Sequence, residues 1–504
     1  MKKLNLFLSA ALIMSASAIF AQSTQRKNMR VQESEETASF ESDCVDCQRP
    51  ERVSVLKKHR LEESFRKQIN RMVINTSDVT SEGDNNNVSA NQTGAGNYNL
   101  ISQVSSDNSA NVDQVGVQNN SDISQEDDGN HIATVDQDGN LHYSSIIQNG
   151  EAQESTVTQS GRNNYAEVSQ EGNDNTATLV QTKRGNNAFQ TQLGSFSNAD
   201  LTQDGRRNYS DQYSDGDYNT ISMDIKGNRN RTHQSQTDGN SNYAQFSILG
   251  NHNYAVQTQV GTGNDASDFS GWKSIDGDHN WSEQYQEGDN NKSETTILGN
   301  HNTNFQTQIG SNNTFRTTSL GSWNYIEQYA EGDNNKAEGF NWGGTVNTGN
   351  IIIQTQIGSD NEAYAGQGND HADYFGIGLF PGGADDNISL QTQGGDHNSA
   401  RSIQMGDRNT SIETQTAMVG GSDYNNISTI HQIGNDNLAC LTQLQSSLDV
   451  TNVSSILQDG NGNAASVSQN ASLNSNWSLV TQTGNFNVAV VSQNGNSGSL
   501  IQGN

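Results

Sequence analysis

The sequence is poor in most of what an ordinary folded domain uses. Its 504 residues include two prolines and three cysteines, and only 30% are hydrophobic. A conventional domain carries about 45–50% apolar residues, counting glycine, so a single oily core of this size is excluded. Beyond the N-terminus there is no run of about 18 apolar residues, which excludes a membrane-spanning helix. Three cysteines do not make a disulfide framework. Cys44 and Cys47 are spaced for a small local disulfide and Cys440 stands apart, with no second ligand pair to make a zinc site. Basic residues are scarce too. The 27 Lys/Arg against 57 Asp/Glu give a formal charge of −30, which repels phosphate and argues against nucleic acid as a partner. What is abundant is side-chain amide, with 67 Asn and 45 Gln beside 48 Gly. Such polarity predicts disorder when the residues are scattered. Here they are periodic.

Three segments differ in composition. Met1-Lys2-Lys3 precedes an apolar run from Leu4 to Phe20 that ends in small residues. This predicts a secretory signal peptide over 1–21, and hence a secreted, extracellular or cell-surface protein. Residues 22–83 hold 11 Lys/Arg and 11 Asp/Glu and read as a neutral charged spacer or targeting segment. Within it Leu61, Phe65, Ile69 and Met72 recur at helical spacing, so a partly helical or disordered segment is expected. From residue 84 to 504 the chain repeats.

The unit is visible in four stretches: Asn164 to Gln170, Asn175 to Gln181, Asn437 to Gln443 and Asn463 to Gln469. Each reads Asn-x-Ala/Ser-x-Val/Ile/Leu-x-Gln, with a glycine-containing turn closing an 11-residue period. In a strand, alternate side chains share a face, so Asn, the small residue, the branched residue and Gln all point one way. The residues between them suit water. Glycine and asparagine supply the positive φ of tight turns, and no repeated strand contains proline. One such strand cannot bury its inner face alone. Two make a rung of about 22 residues, and stacked rungs bury a continuous core. The fold expected is therefore an all-β solenoid, with roughly 38 strands in 17–19 rungs at about 4.8 Å each.

Stacked amides can bond along the axis and satisfy buried polar groups that otherwise cost roughly 1–3 kcal/mol each. Candidate ladder residues in the first part are Asn97, Gln103, Asn108, Gln114, Gln125, Asn164, Gln170, Asn175 and Gln181. They continue as Asn253, Gln259, Asn302, Gln308, Asn426, Gln432, Asn437 and Gln443. The last are Asn463, Gln469, Asn476, Gln482, Asn487, Gln493 and Gln502. Ser214, Ile225, Ile248, Ile275, Ile297 and Ser319 fall where glutamine is due, which predicts a weaker ladder in the middle. Insertions near 338–349, 364–385 and 416–424 are expected to bulge from turns.

The doubled strand motif with its Gly/Asn turns, behind a signal peptide, closely resembles the curlin repeats of curli subunits. Curli are extracellular functional amyloid fibres of bacterial biofilms. The resemblance covers roughly residues 84–504. It implies a structural subunit that self-assembles into fibres for biofilm matrix and adhesion, exported through an outer-membrane secretion channel and templated by a nucleator subunit. The chain departs from familiar curlins in its larger number of repeats, its long segment 22–83 with the Cys pair, and its substituted ladder positions. Major, minor and nucleator subunits are not separated by these features.

Other chemistries fit less well. Histidines such as His252, His279 and His301 lie in turns, without convergent nucleophiles or acids, so no enzyme, cofactor or metal site is expected. A calcium β-roll repeats every nine residues, not eleven. Outward aromatics such as Tyr165, Tyr254, Trp281 and Trp477 read as β-formers, or as platforms for a glycan. The rival reading is a long monomeric solenoid adhesin that binds a surface, glycan or ice. The motif ending at Gln502 without a polar cap favours axial assembly, because natural monomers cap such strand edges.

Overall fold

The computed structural model describes residues 74–268, 274–342, 349–368, 385–417, 426–447, 450–472, 474–494 and 499–503. The leader, the Cys44/Cys47 pair and the stretch from Leu61 to Met72 lie outside them. Among the described residues there are 37 strands between Thr76 and Gly503, and no helix.

Except around one split strand, each strand pairs in parallel with the strand two places along the chain. Alternate strands therefore build two sheets, one of 18 strands beginning at Thr76–Glu82 and one beginning at Asn87–Ala95. In the second sheet the short strands Asp265–Asp268 and Ile275–Asp276 share one position, and both pair with Tyr243–Leu249 and Lys292–Leu298. The register is that of a two-strand solenoid. Tyr143 lies against Tyr165 and Gln148 against Gln170, 22 residues on. Insertions leave this register untouched: Gln356 still meets Gln393 across 37 residues.

Parity explains the strands. In Thr176–Arg184 the buried residues are Ala177, Leu179 and Gln181, while Thr176, Thr178 and Val180 face outward. The branched slot gives a column of Val135, Val157, Leu179 and Leu201, each at most 1% exposed. Burying each such side chain stabilises by roughly 1.5–3 kcal/mol. The turn glycines are fixed by close stacking. Gly172 has φ +111°, and a Cβ on it would sit 2.0 Å from the carbonyl oxygen of Gly194 in the next rung.

The solenoid starts earlier than residue 84. Thr76–Glu82 pairs in register with Tyr98–Val104, inside the segment 22–83 assigned to the spacer. Its motif runs Asn75, Ser77, Val79, Ser81, and serine in the glutamine slot hides it. Two of the insertions also begin later than expected. Lys336–Trp342 and Glu362–Gly368 are strands in full register, because Ala337, Gly339, Asn341 and Ala363, Ala365, Gln367 keep the period of two.

Candidate functional site: the stacked amide ladders

Glutamines near the end of most strands form the first ladder. In the first sheet Gln103 donates to Gln125, Gln125 to Gln148, Gln148 to Gln170 and Gln170 to Gln192, at 2.9–3.1 Å. In the second sheet Gln92, Gln114, Gln137, Gln159, Gln181 and Gln203 do the same at 2.8–2.9 Å. Each amide uses its second N–H as well. Gln148 Nε2 donates to the Ile132 carbonyl at 3.0 Å, and Gln159 Nε2 to that of Tyr143 at 2.8 Å. The ladder thereby ties one sheet to the other while running along the axis.

The ladders resume further on. Gln259 donates to Gln286 and Gln286 to Gln308. Gln432, Gln458 and Gln482 run in the second sheet, and Gln443, Gln469 and Gln493 in the first, at 2.7–2.9 Å. Gln502 stands apart. The register of Ser499–Gly503 sets it against Thr481, with Gly503 against Gln482. Its backbone is one residue out of the ladder register.

The asparagines work differently from the glutamines in most rungs. Asn97, Asn108, Asn164 and Asn175 accept, through Oδ1, the backbone N–H of the residue 22 or 23 positions on. Their Nδ2 groups donate to turn carbonyls, as Asn175 does to Gly194 at 2.7 Å. Asn253, Asn302, Asn437 and Asn463 likewise accept the backbone N–H of Asn280, Asn324, Asn463 and Asn487. These are turn caps more than an amide ladder. A true asparagine ladder appears where Asn398, Asn426, Asn452 and Asn476 bond side chain to side chain at 2.7–2.8 Å. Two histidines substitute for the cap. The backbone N–H groups of Gln153 and Asn164 donate to Nδ1 of His131 and His142, and burial lowers both imidazole pKa values.

The middle of the solenoid is not depleted of amide pairing, as the substitutions suggested. In the second sheet Ile225, Ile248, Ile275 and Ile297 fill the glutamine slot and are 0% exposed. In the first sheet, over the same rungs, the branched slot becomes glutamine. Gln190, Gln212, Gln234, Gln257, Gln284, Gln306, Gln328, Gln354 and Gln391 form one unbroken second ladder at 2.7–3.1 Å. Amide and apolar columns have exchanged places between facing sheets, so the core stays filled, although the first-sheet ladder is interrupted where Ser214 lies between Gln192 and Gln236 and leaves Gln236 Oε1 without a partner. The signal in the sequence is the doublet Gln-x-Gln, as in Gln190-Thr-Gln192 and Gln257-Thr-Gln259.

Glu413 occupies the next position in that second ladder, against Gln391. It is fully buried, and burial pushes its carboxyl up to about 8, although the Ser428 hydroxyl donates to it at 2.7 Å. Outside, rings stack along the first sheet. Tyr143 and Tyr165 are 4.8 Å apart and parallel, with Phe189 and Tyr209 following. Arg231 bridges Tyr209 to Tyr254, and Trp281 continues the stripe. Tyr165, Tyr254 and Trp281 thus touch one another's neighbours on one face, while Trp477 lies exposed. His252, His279, His301 and Trp323 stack at 4.1–5.0 Å along one column of turns.

Among the described residues no group of His, Cys, Asp or Glu is placed to hold a metal ion, and no helix is long and apolar enough to cross a membrane. A comparison with curated proteins finds no match. Residues 154–182, which supply the Gln159, Gln170 and Gln181 positions of both ladders, match the family described as curlin associated repeat.

Proposed function

We propose that this chain is a secreted structural subunit, not an enzyme, that assembles into extracellular curli-like amyloid fibres of a biofilm matrix and serves adhesion. The observation that carries the reading is the in-register parallel stack. Equivalent rungs, bonded through backbone and glutamine ladders alike, can be extended by another copy without any new kind of contact. Among the described residues Thr76–Glu82 pairs with one strand only, as do Val488–Asn494 and Ser499–Gly503. Such edges template further strands, and axial docking is a contact that does not close. Export through an outer-membrane channel and templating by a nucleator follow from the resemblance to curli subunits. Asp and Glu in strands and turns act as gatekeepers against early aggregation.

The test is assembly of the purified chain, followed by thioflavin fluorescence and electron microscopy with and without preformed seeds. Seeded growth of unbranched fibres is expected. A chain that stays monomeric at high concentration in the presence of seeds would overturn the fibre reading and leave the solenoid adhesin.

A further inference from the structure

The solenoid has two edges, each a column of turns, and their charges differ. Turns that lead from the second sheet back to the first carry Arg162, Arg184, Arg206, Arg207 and Arg229, with Lys183 and Lys226, in four successive rungs. These seven make up half of the 14 Lys/Arg between residues 84 and 504. Arg162, Arg184 and Arg206 are in register one above another, and all seven side chains are exposed. Lys183 and Lys226 are bonded to Asp204 and Asp224, each at 2.9 Å. Among the described residues no carboxylate lies within ion-pair distance of Arg162, Arg184, Arg206 or Arg207. Like charges stacked at rung spacing repel, so the column is poised for an anionic counterpart.

The opposite edge of the same rungs supplies that chemistry. Its turns carry Glu151, Glu171, Asp174, Asp215 and Asp217, and residues 149–153, 171–175, 193–197, 215–219 and 237–242 contain no Lys or Arg. We propose that the arginine column between Arg162 and Arg229 docks the acidic turn column of a second copy of this chain, joining solenoids edge to edge. The match is one of period as well as sign. Turns recur once per rung on both edges, so the rungs carrying Glu151, Glu171 with Asp174, and Asp215 with Asp217 can each face an arginine rung, while the intervening 193–197 turn carries no carboxylate. Arginine suits this pairing because its planar fork binds carboxylate in a bidentate way. Each copy carries one edge of each kind, so the contact is heterologous and non-closing and builds ribbons or bundles. This lateral contact is separate from axial growth, and it also operates between single solenoids.

The test uses the full chain and reads two quantities, thioflavin growth for axial assembly and bundle width with sedimentation for lateral pairing. Wild type is expected to bundle at about 0.02 M salt and to disperse at about 0.5 M, where the Debye length has shrunk to a few ångströms. The variant Arg184→Glu/Arg206→Glu/Arg207→Glu should lose bundling at low salt while its fluorescence growth is unchanged. A second variant, Asp174→Lys/Asp215→Lys/Asp217→Lys, should also fail to bundle alone, and mixing the two should restore pairing. Bundles that survive the arginine reversal, or a mixture that does not recover, would overturn the proposal. So would saturable binding of polyphosphate to the wild-type column with bundling undisturbed. Absent fluorescence growth with salt-sensitive sedimentation intact would count against the fibre reading alone.

Discussion

Replacing Glu413 with glutamine removes the one carboxylate set in the second ladder and extends nine glutamines by a tenth. The carboxyl is fully buried and pushed from the ordinary 4.5 up to about 8, whereas in the unfolded chain it ionises near its ordinary value. Between those two values the folded protein holds a proton that the unfolded chain has lost. Stability therefore falls as pH rises through that window, by about 1.36 kcal/mol per pH unit, or roughly 5 kcal/mol by its upper end. Glu413→Gln has no charge to bury, and its amide can accept from Gln391 and meet the Ser428 hydroxyl. The assay is hydrogen exchange, corrected for intrinsic rates, on the amides of Ile388–Gly394, Thr410–Thr416 and Leu438–Gln445 at pH 5.5 and 8.5. Local readout is needed because a solenoid opens rung by rung. Wild-type protection should drop markedly at the higher pH and the variant should stay level. Equal pH dependence in both proteins, or lower protection in the variant at pH 8.5, would refute the reasoning.

Three further perturbations follow from the same geometry. Gly172→Ala places a Cβ against the Gly194 carbonyl at a φ that side chains rarely adopt, and should cost at least about 2 kcal/mol, read as lost protection in 171–175 and 193–197. Gln170→Ala strands an N–H of Gln148, the Gln192 oxygen and the Glu154 carbonyl; a loss of roughly 3–6 kcal/mol should appear as local opening and slower seeded growth. His142 has a lowered pKa and accepts a backbone N–H through Nδ1, so its contribution is complete above about pH 6.5 and is lost as pH falls. His142→Asn should flatten the acid-induced loosening of the neighbouring turns, measured by exchange between pH 7 and 5.

Period and parity made the solenoid legible, because an alternating inner face inside an 11-residue unit has no helical solution. Positions such as Gln170 and Gln181 could be placed for the same reason. The asparagine roles could not be read. Whether Asn175 bonds to a neighbouring amide or to a backbone N–H depends on turn geometry, here set by Gly172 at φ +111° and Asp174 at φ +53°. The second glutamine ladder was hidden by a motif that allows one glutamine per strand, so Ile225 and Ile248 read as losses. The facing sheet had taken over the amides at Gln212, Gln234 and Gln257. Glu413 is seen to be buried only once its column is known. The register of Gln502 depends on strand pairing, which a motif match alone does not fix.

The most direct test of the central claim is fibre diffraction combined with electron microscopy of the assembled chain. Rungs stacked along the fibre predict a meridional reflection at about 4.8 Å and, from the 18 strands of the first sheet, a subunit repeat of roughly 85 Å. Fibres whose strands run along the axis, or a protein that forms none under seeding, would contradict the account.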